Sequence, residues 1–248
     1  MSRRRFFAPP NAFSERSVTL TADEAKHLRG VLRLKPGDEV FVFDGIGKEF
    51  RCRVERFQPD EVVLNDCEQV EPAQPDSTLD LTLALALLKG EKFDLVVQKA
   101  TELGVSSIQP VTTRHADIHL RDASDAQKRV TRWQRIALEA AKQCGRATVP
   151  NVSLPASFES VATDESEAIR MMFSERAGSP LNYEASIGVT PKALIALIGS
   201  EGGWADEEIQ TARSAGWQIV TLGGRILRAE TAAISATVLL QHLYGDLK

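Results

Sequence analysis

Apolar residues along this chain change their spacing near residue 70. Before it they fall in short β-type runs: Val18-Thr19-Leu20, Glu39-Val40-Phe41-Val42-Phe43, Phe50-Arg51-Cys52-Arg53-Val54 and Glu61-Val62-Val63-Leu64. Turn signals, Pro36-Gly37-Asp38 and Asp44-Gly45-Ile46-Gly47, lie between them. One helix interrupts the strands. Ala25, Leu28, Val31 and Leu32 repeat at helical spacing, behind Thr21 as N-cap and Glu24 as its capping-box partner. Closely spaced short strands predict a small barrel.

Residues 70–77 contain two prolines and read as a linker, which sets expected domains at 1–72 and 73–248. Beyond the linker the texture alternates. Buried-type strands are predicted at 81–88, 107–111, 168–173, 193–198 and 219–222. Helices are predicted at 93–103, ending at Gly104, at 131–144, ending at Gly145, from about 205–208 onward, and at 232–243. Alternating strands and helices predict an α/β fold with a parallel sheet.

Two of these strands run into glycine turns, each followed by a helix: Gly199-Ser200-Glu201-Gly202-Gly203 and Leu222-Gly223-Gly224-Arg225-Ile226-Leu227-Arg228-Ala229-Glu230-Thr231. Lacking a Cβ, glycine lets a ligand approach the backbone. Two such turns at the same ends of neighbouring strands predict a ligand crevice. The first turn is neither a GxGxxG dinucleotide fingerprint nor a P-loop, so nucleotide-kinase chemistry is disfavoured. In the second, Arg225, Arg228 and Glu230 stand between a buried strand and an apolar helix. Charges there either meet a charged ligand or pair with each other, as Arg228 with Glu230.

Composition adds bounds. Of 248 residues, 43% are hydrophobic and 26% charged, enough for a real core. The net charge of −4 argues against nucleic acid, but its distribution does not. Residues 1–60 carry 12 Lys and Arg against 9 acids, and residues 128–146 carry six bases against Glu139 alone. A local basic footprint governs nucleic-acid affinity, although such a stretch also suits a solvated helix face. Three scattered cysteines without a CxxC support neither a disulfide framework nor a zinc site, and fit a reducing compartment. The four histidines share no ligand spacing, so no metal is expected. The basic start lacks an apolar core and is not a signal peptide. A cytoplasmic protein is expected. No Gly-x-Ser-x-Gly elbow points to a serine hydrolase.

The pattern Leu197-Ile198-Gly199-Ser200-Glu201-Gly202-Gly203, then Leu222-Gly223, then Ile226-Leu227-Arg228-Ala229-Glu230-Thr231-Ala232 resembles the RsmE family. These are SPOUT-class methyltransferases that act on a uridine N3 of 16S ribosomal RNA. Further matches run along the chain: Arg4-Arg5-Phe6-Phe7, Val31 to Asp38, Lys89-Gly90, Gln98 to Gly104, Arg132-Trp133 and Gln143-Cys144-Gly145-Arg146. The stretch Arg114-His115-Ala116-Asp117-Ile118-His119-Leu120 departs from the family pattern, which is more apolar after the arginine.

The resemblance implies a PUA-like β-barrel followed by a parallel-sheet domain with a deep trefoil knot, a topology general folding rules would exclude. It implies S-adenosylmethionine as cofactor, a homodimer, and 16S ribosomal RNA or an assembled small subunit as substrate. The cofactor would be held by Met172, Phe173, Ile198, Gly199, Gly202, Leu222, Gly223, Ile226, Leu227 and Thr231. Uridine N3 must lose a proton, and a cation stabilises the anion that develops. Arg228 takes that role, with Glu201 or Glu230 accepting the proton or orienting Arg228. Arg3, Arg4, Arg5, Arg33, Lys89, Arg132, Arg135 and Arg146 would grip phosphates. A SPOUT ribose 2′-O-methyltransferase, or a non-catalytic RNA-binding assembly factor, are the alternatives.

Overall fold

The computed structural model describes residues 3–181 and 191–248. The chain forms two compact units. One comprises residues 1–76 with 141–149, the other residues 77–140 with 150–248.

In the first unit, β1 (Arg5–Phe7), β2 (Phe13–Ser14), β3 (Ser17–Thr21), β4 (Glu39–Phe43), β5 (Glu49–Phe57) and β6 (Glu61–Val70) make one curled sheet, in the order β1-β4-β5-β6-β3-β2. All its pairings are antiparallel except β1 with β4. Alternation along the strands sends Val18, Leu20, Val40, Val42, Val54 and Leu64 into a common core with Phe6 and Leu28. The predicted turn at 44–47 is closed by Asp44, whose carboxylate accepts from the amides of Ile46 and Lys48 at 2.9 and 3.0 Å.

Two sequence readings are corrected here. The predicted helix is only α1 (Ala22–Lys26), continued by a π-helical turn at His27–Val31. The wider turn rotates the apolar face away, leaving Val31 71% exposed, and the Thr21 side chain caps nothing. Cys52 and Cys67, 15 residues apart in sequence, are joined as a disulfide, leaving Cys144 free. Spacing hides the pairing because register makes it: both cysteines sit on the β5–β6 ladder, where a shift between Arg51 and Arg53 brings them together.

Glu49 holds this unit together. Its carboxylate is fully buried and accepts from Arg3 Nη1 at 3.1 Å, Arg5 Nη2 at 3.2 Å and the Ala73 amide at 2.9 Å. Arg5 also donates to the carbonyls of Ala141, Lys142 and Arg146 at 3.3, 3.1 and 2.9 Å, capping a helix C-terminus with a cation.

The second unit is a sheet in which every pairing is parallel: β7 (Asp80–Ala86), β8 (Ser107–Thr112), β9 (Asn151–Val152), β10 (Ala156–Ser157), β11 (Ile169–Phe173), β12 (Ser179–Pro180), β13 (Ala193–Ile198) and β14 (Gln218–Thr221). Its order is β10-β8-β7-β13-β11-β14-β12, with β9 beside β8. The central strands β7 and β13 are nearly continuous apolar runs, as parallel strands covered on both faces require. Among the described residues the further helices of the chain are α2 (Lys92–Glu102), α3 (Ala123–Cys144), α4 (Phe158–Thr163), α5 (Asp206–Ser214) and α6 (Ala229–Tyr244). The predicted stop at Gly104 is present, at φ +84°. Among the described residues, no helix is long and apolar enough to cross a membrane.

Replacing Glu49 by Gln should therefore cost the first unit about 3 kcal/mol, because it strands the Arg5 cation in a buried site. Urea unfolding followed by a probe in this unit checks the value.

Candidate functional site

Because β13, β11 and β14 are parallel neighbours, the chain leaves all three at one edge of the sheet. The segments after Phe173, Ile198 and Thr221 therefore converge, the arrangement that builds a ligand crevice in an open α/β sheet. They enclose a cavity of about 280 Å³. Phe173, Ser174 and Glu175 form one wall, Ile198 to Glu201 with Gly203 and Trp204 a second, and Thr221 to Gly223 with Arg225 to Ala229 and Ala232 the third.

Trp204 locks two of these walls together. Its indole is 1% exposed, and its Nε1 donates to the Phe173 carbonyl at 2.8 Å. The ring packs on Gly199, where an added Cβ would come within 3.0 Å of it. Glu208, buried in the first turn of α5, accepts from the amides of Ala205 and Arg114, both at 2.9 Å. It thereby binds segment 113–116 to the far side of the turn. Gly202 lies so close to that segment that a Cβ there would sit 2.6 Å from the His115 carbonyl oxygen. Gly223 answers a different need, with φ at +112° and open space around it.

Of the cofactor residues expected, Phe173, Ile198, Gly199, Leu222, Gly223, Ile226 and Leu227 line the cavity. Met172, Gly202 and Thr231 do not. Met172 is fully buried in the core beneath, because successive strand side chains point to opposite faces. Gly202 faces His115, and Thr231 is exposed on α6, whose Ala229 and Ala232 face the cavity instead. Trp204 and Glu175 escaped the sequence reading. For Trp204 a signal existed, an aromatic directly after a glycine turn. Glu175 carried none.

The charges divide unevenly. Glu201 and Arg228 line the cavity, while Glu230 does not. Lys92 Nζ lies 2.9 Å from Glu201 Oε1 and 3.8 Å from Glu230 Oε2. Burial pushes the Glu201 carboxyl up. The hydrogen bond and charge of Lys92, with the amides of Glu201 and Lys89, outweigh it and hold the group below the ordinary carboxylate range. The alternative Arg228–Glu230 pair does not form, because Glu230 turns toward Lys92. Among the described residues, Arg225 and Arg228 have no ion-pair partner. Ser200 Oγ, on the cavity wall, is buried without a hydrogen-bond partner among the described residues.

The expected phosphate-gripping residues separate into two groups. Arg4, Arg33 and Arg135 are exposed, Arg33 on a left-handed backbone at φ +51°. Lys89 pairs on the surface with Asp117 at 2.7 Å, and Arg132 pairs with Asp94. Arg3 is partly exposed beside Glu49. Arg5 and Arg146 are buried instead. Each side chain is only 7% exposed, Arg5 on Glu49 and Arg146 on Asp76 at 2.7 Å, so neither cation reaches an external phosphate. Sequence spacing cannot separate a buried arginine from a surface one.

A model of the RNA methyltransferase domain matches residues 75–241, and one of the RNA methyltransferase PUA domain matches residues 20–67. Ribosomal RNA small subunit methyltransferase E of Synechocystis sp. is 35% identical over 96% of this chain and 77% of its own length. Its counterpart from Bacillus subtilis is 29% identical over 93% of both chains. The crystal structure of ribosomal RNA small subunit methyltransferase E from Neisseria gonorrhoeae, bound to S-adenosylmethionine, superposes with a TM-score of 0.88 at 32% identity, covering 100% of both chains. A methyltransferase from Legionella pneumophila solved with the same cofactor gives 0.88 at 30% identity, again over 100% of both.

Gly202→Ala should destabilise the second unit by about 1–3 kcal/mol, since the His115 backbone cannot yield to a methyl group. Gly224→Ala, where an added Cβ meets nothing within 4 Å, is the matched control. It should stay within about 0.5 kcal/mol of wild type. Thermal unfolding of the two variants checks the difference.

Proposed function

The chain belongs to the RNA methyltransferase family that includes the ribosomal RNA small subunit methyltransferases E, and from this premise we propose that it methylates N3 of a uridine in 16S ribosomal RNA with S-adenosylmethionine as donor. The observation that carries this is the cavity at the ends of β11, β13 and β14, with Arg228, which has no ion-pair partner among the described residues, on its wall.

The residues present fit the cofactor. Ile198, Leu222, Ile226 and Leu227 offer an apolar wall suited to an adenine ring. Ser200 Oγ, buried and without a partner among the described residues, offers a polar atom that a ligand would satisfy. When bound, the cofactor supplies an electrophilic methyl group on a positively charged sulfur. What remains for the protein is positioning, proton removal and charge stabilisation. The Arg228 guanidinium stabilises the negative charge that spreads over O2, N3 and O4 of the uracil as N3 loses its proton. Glu201 lines the cavity and is kept ionised, so it accepts that proton. Glu230 stands behind it.

Exposed Arg4, Arg33 and Arg135 serve as phosphate contacts, with Lys89 and Arg132 adding charge on the second unit. The family resemblance further supports a homodimer, a knotted path around the cavity and a cytoplasmic place of action on ribosomal RNA.

Mass-spectrometric mapping of 16S ribosomal RNA from cells with and without the protein tests the reaction, and an identical methylation pattern would refute it. Arg228→Ala should lower kcat by about 10²–10³-fold, the usual cost of removing one preorganised charge stabiliser. Cofactor affinity, read by calorimetry, should change little. Near-normal turnover in that variant would remove Arg228 from the chemistry. RNA affinity should also fall steeply as salt is raised, through release of counterions.

A further inference from the structure

Lys92 is the first residue of α2, and its side chain reaches out to the carboxylates of two other segments. Its Nζ is 2.9 Å from Glu201, in the turn after β13, and 3.8 Å from Glu230, in the first turn of α6. The Glu230 oxygen it faces, Oε2, is buried and accepts no hydrogen bond from the described residues. The three side chains are between 14% and 33% exposed, so water screens them only in part. The other charged neighbour, Lys89, supports Glu201 through its backbone amide and at longer range through its charge, but its ammonium is committed to Asp117. One ammonium thus serves two acids and links the two glycine turns that wall the cavity.

The geometry points to Lys92 as a positioning residue for methyl transfer: its ammonium holds the Glu201 carboxylate on the cavity wall and fastens the 199–203 turn to the start of α6 at Glu230. This rests on the reading of Glu201 as proton acceptor. Without the ammonium, two carboxylates share a partly buried space. Like charges there cannot both stay ionised cheaply, so Glu201 takes up a proton or swings toward water. Either outcome removes the acceptor while leaving the apolar cofactor wall in place. The sign with pH follows. A carboxylate that its partner holds below the ordinary range stays ionised into acid. One that faces only another carboxylate protonates earlier as pH falls.

The test uses the full-length protein, S-adenosylmethionine and small ribosomal subunits lacking the modification. Lys92→Met should lower kcat by about 10²-fold, the contribution of a well-placed proton acceptor, with the cofactor KM little changed. The acid limb of its kcat profile should move to higher pH. Lys92→Arg, which keeps the charge, should restore most of kcat. The double variant Lys92→Met/Glu230→Gln removes the repulsion. It should bring the acid limb back down yet remain slow, and it carries the test if Lys92→Met fails to fold. A double variant at wild-type kcat would show that Lys92 only neutralises Glu230, which overturns the proposal. So would wild-type kcat and an unmoved acid limb in Lys92→Met while Glu201→Gln is slow, and in that case the reading of Glu201 survives. Glu201→Gln at the wild-type rate would overturn that reading and the proposal with it.

Discussion

Parallel pairing of β13, β11 and β14 is the constraint from which the site follows. Parallel neighbours end at one edge, so three segments far apart in sequence must turn within a few ångströms of each other. Glycine at the turns allows the approach, and the Trp204 indole, donating to the Phe173 carbonyl, fixes the first wall to the second. Were one strand antiparallel, its turn would lie at the opposite edge and the cavity would lose a wall.

Charge is handled differently in the buried and the exposed parts of the chain. The buried arginines Arg5 and Arg146 are neutralised by near carboxylates, Glu49 and Asp76. Arg225 and Arg228 are left without an ion-pair partner among the described residues, at the cavity wall. The two acids nearest the glycine turns share one lysine. Water solvates the two exposed arginines, whereas Glu201 and Glu230, 24% and 14% exposed, depend on the lysine because an uncompensated charge in a partly buried place is costly.

Much of this was legible from local pattern. Strand 193–198 and the glycine stop at 104 were visible because parallel strands are apolar throughout and a helix end calls for a left-handed residue. The turn at 44–47 was visible because aspartate caps its own backbone. Misreadings arose where a residue's partner is distant in sequence. Arg5 and Arg146 look like the other basic residues until the fold buries them. Cys52 and Cys67 look unrelated until a register shift sets them side by side. Thr231 belongs to the motif by sequence, yet the helical turn carries it to the outer face.

By itself, then, the sequence determined the two-part texture, the parallel α/β character, the positions of the glycine turns and the family resemblance. These depend on residue type and short-range spacing, which a single chain displays directly. The tertiary structure alone decided which carboxylate faces the cavity, that Lys92 stands between Glu201 and Glu230, and which arginines remain without a partner. Those are distances between atoms that β7, β13 and α6 bring together from more than a hundred residues apart. No local pattern encodes a distance of that kind, because sheet order and strand register create it.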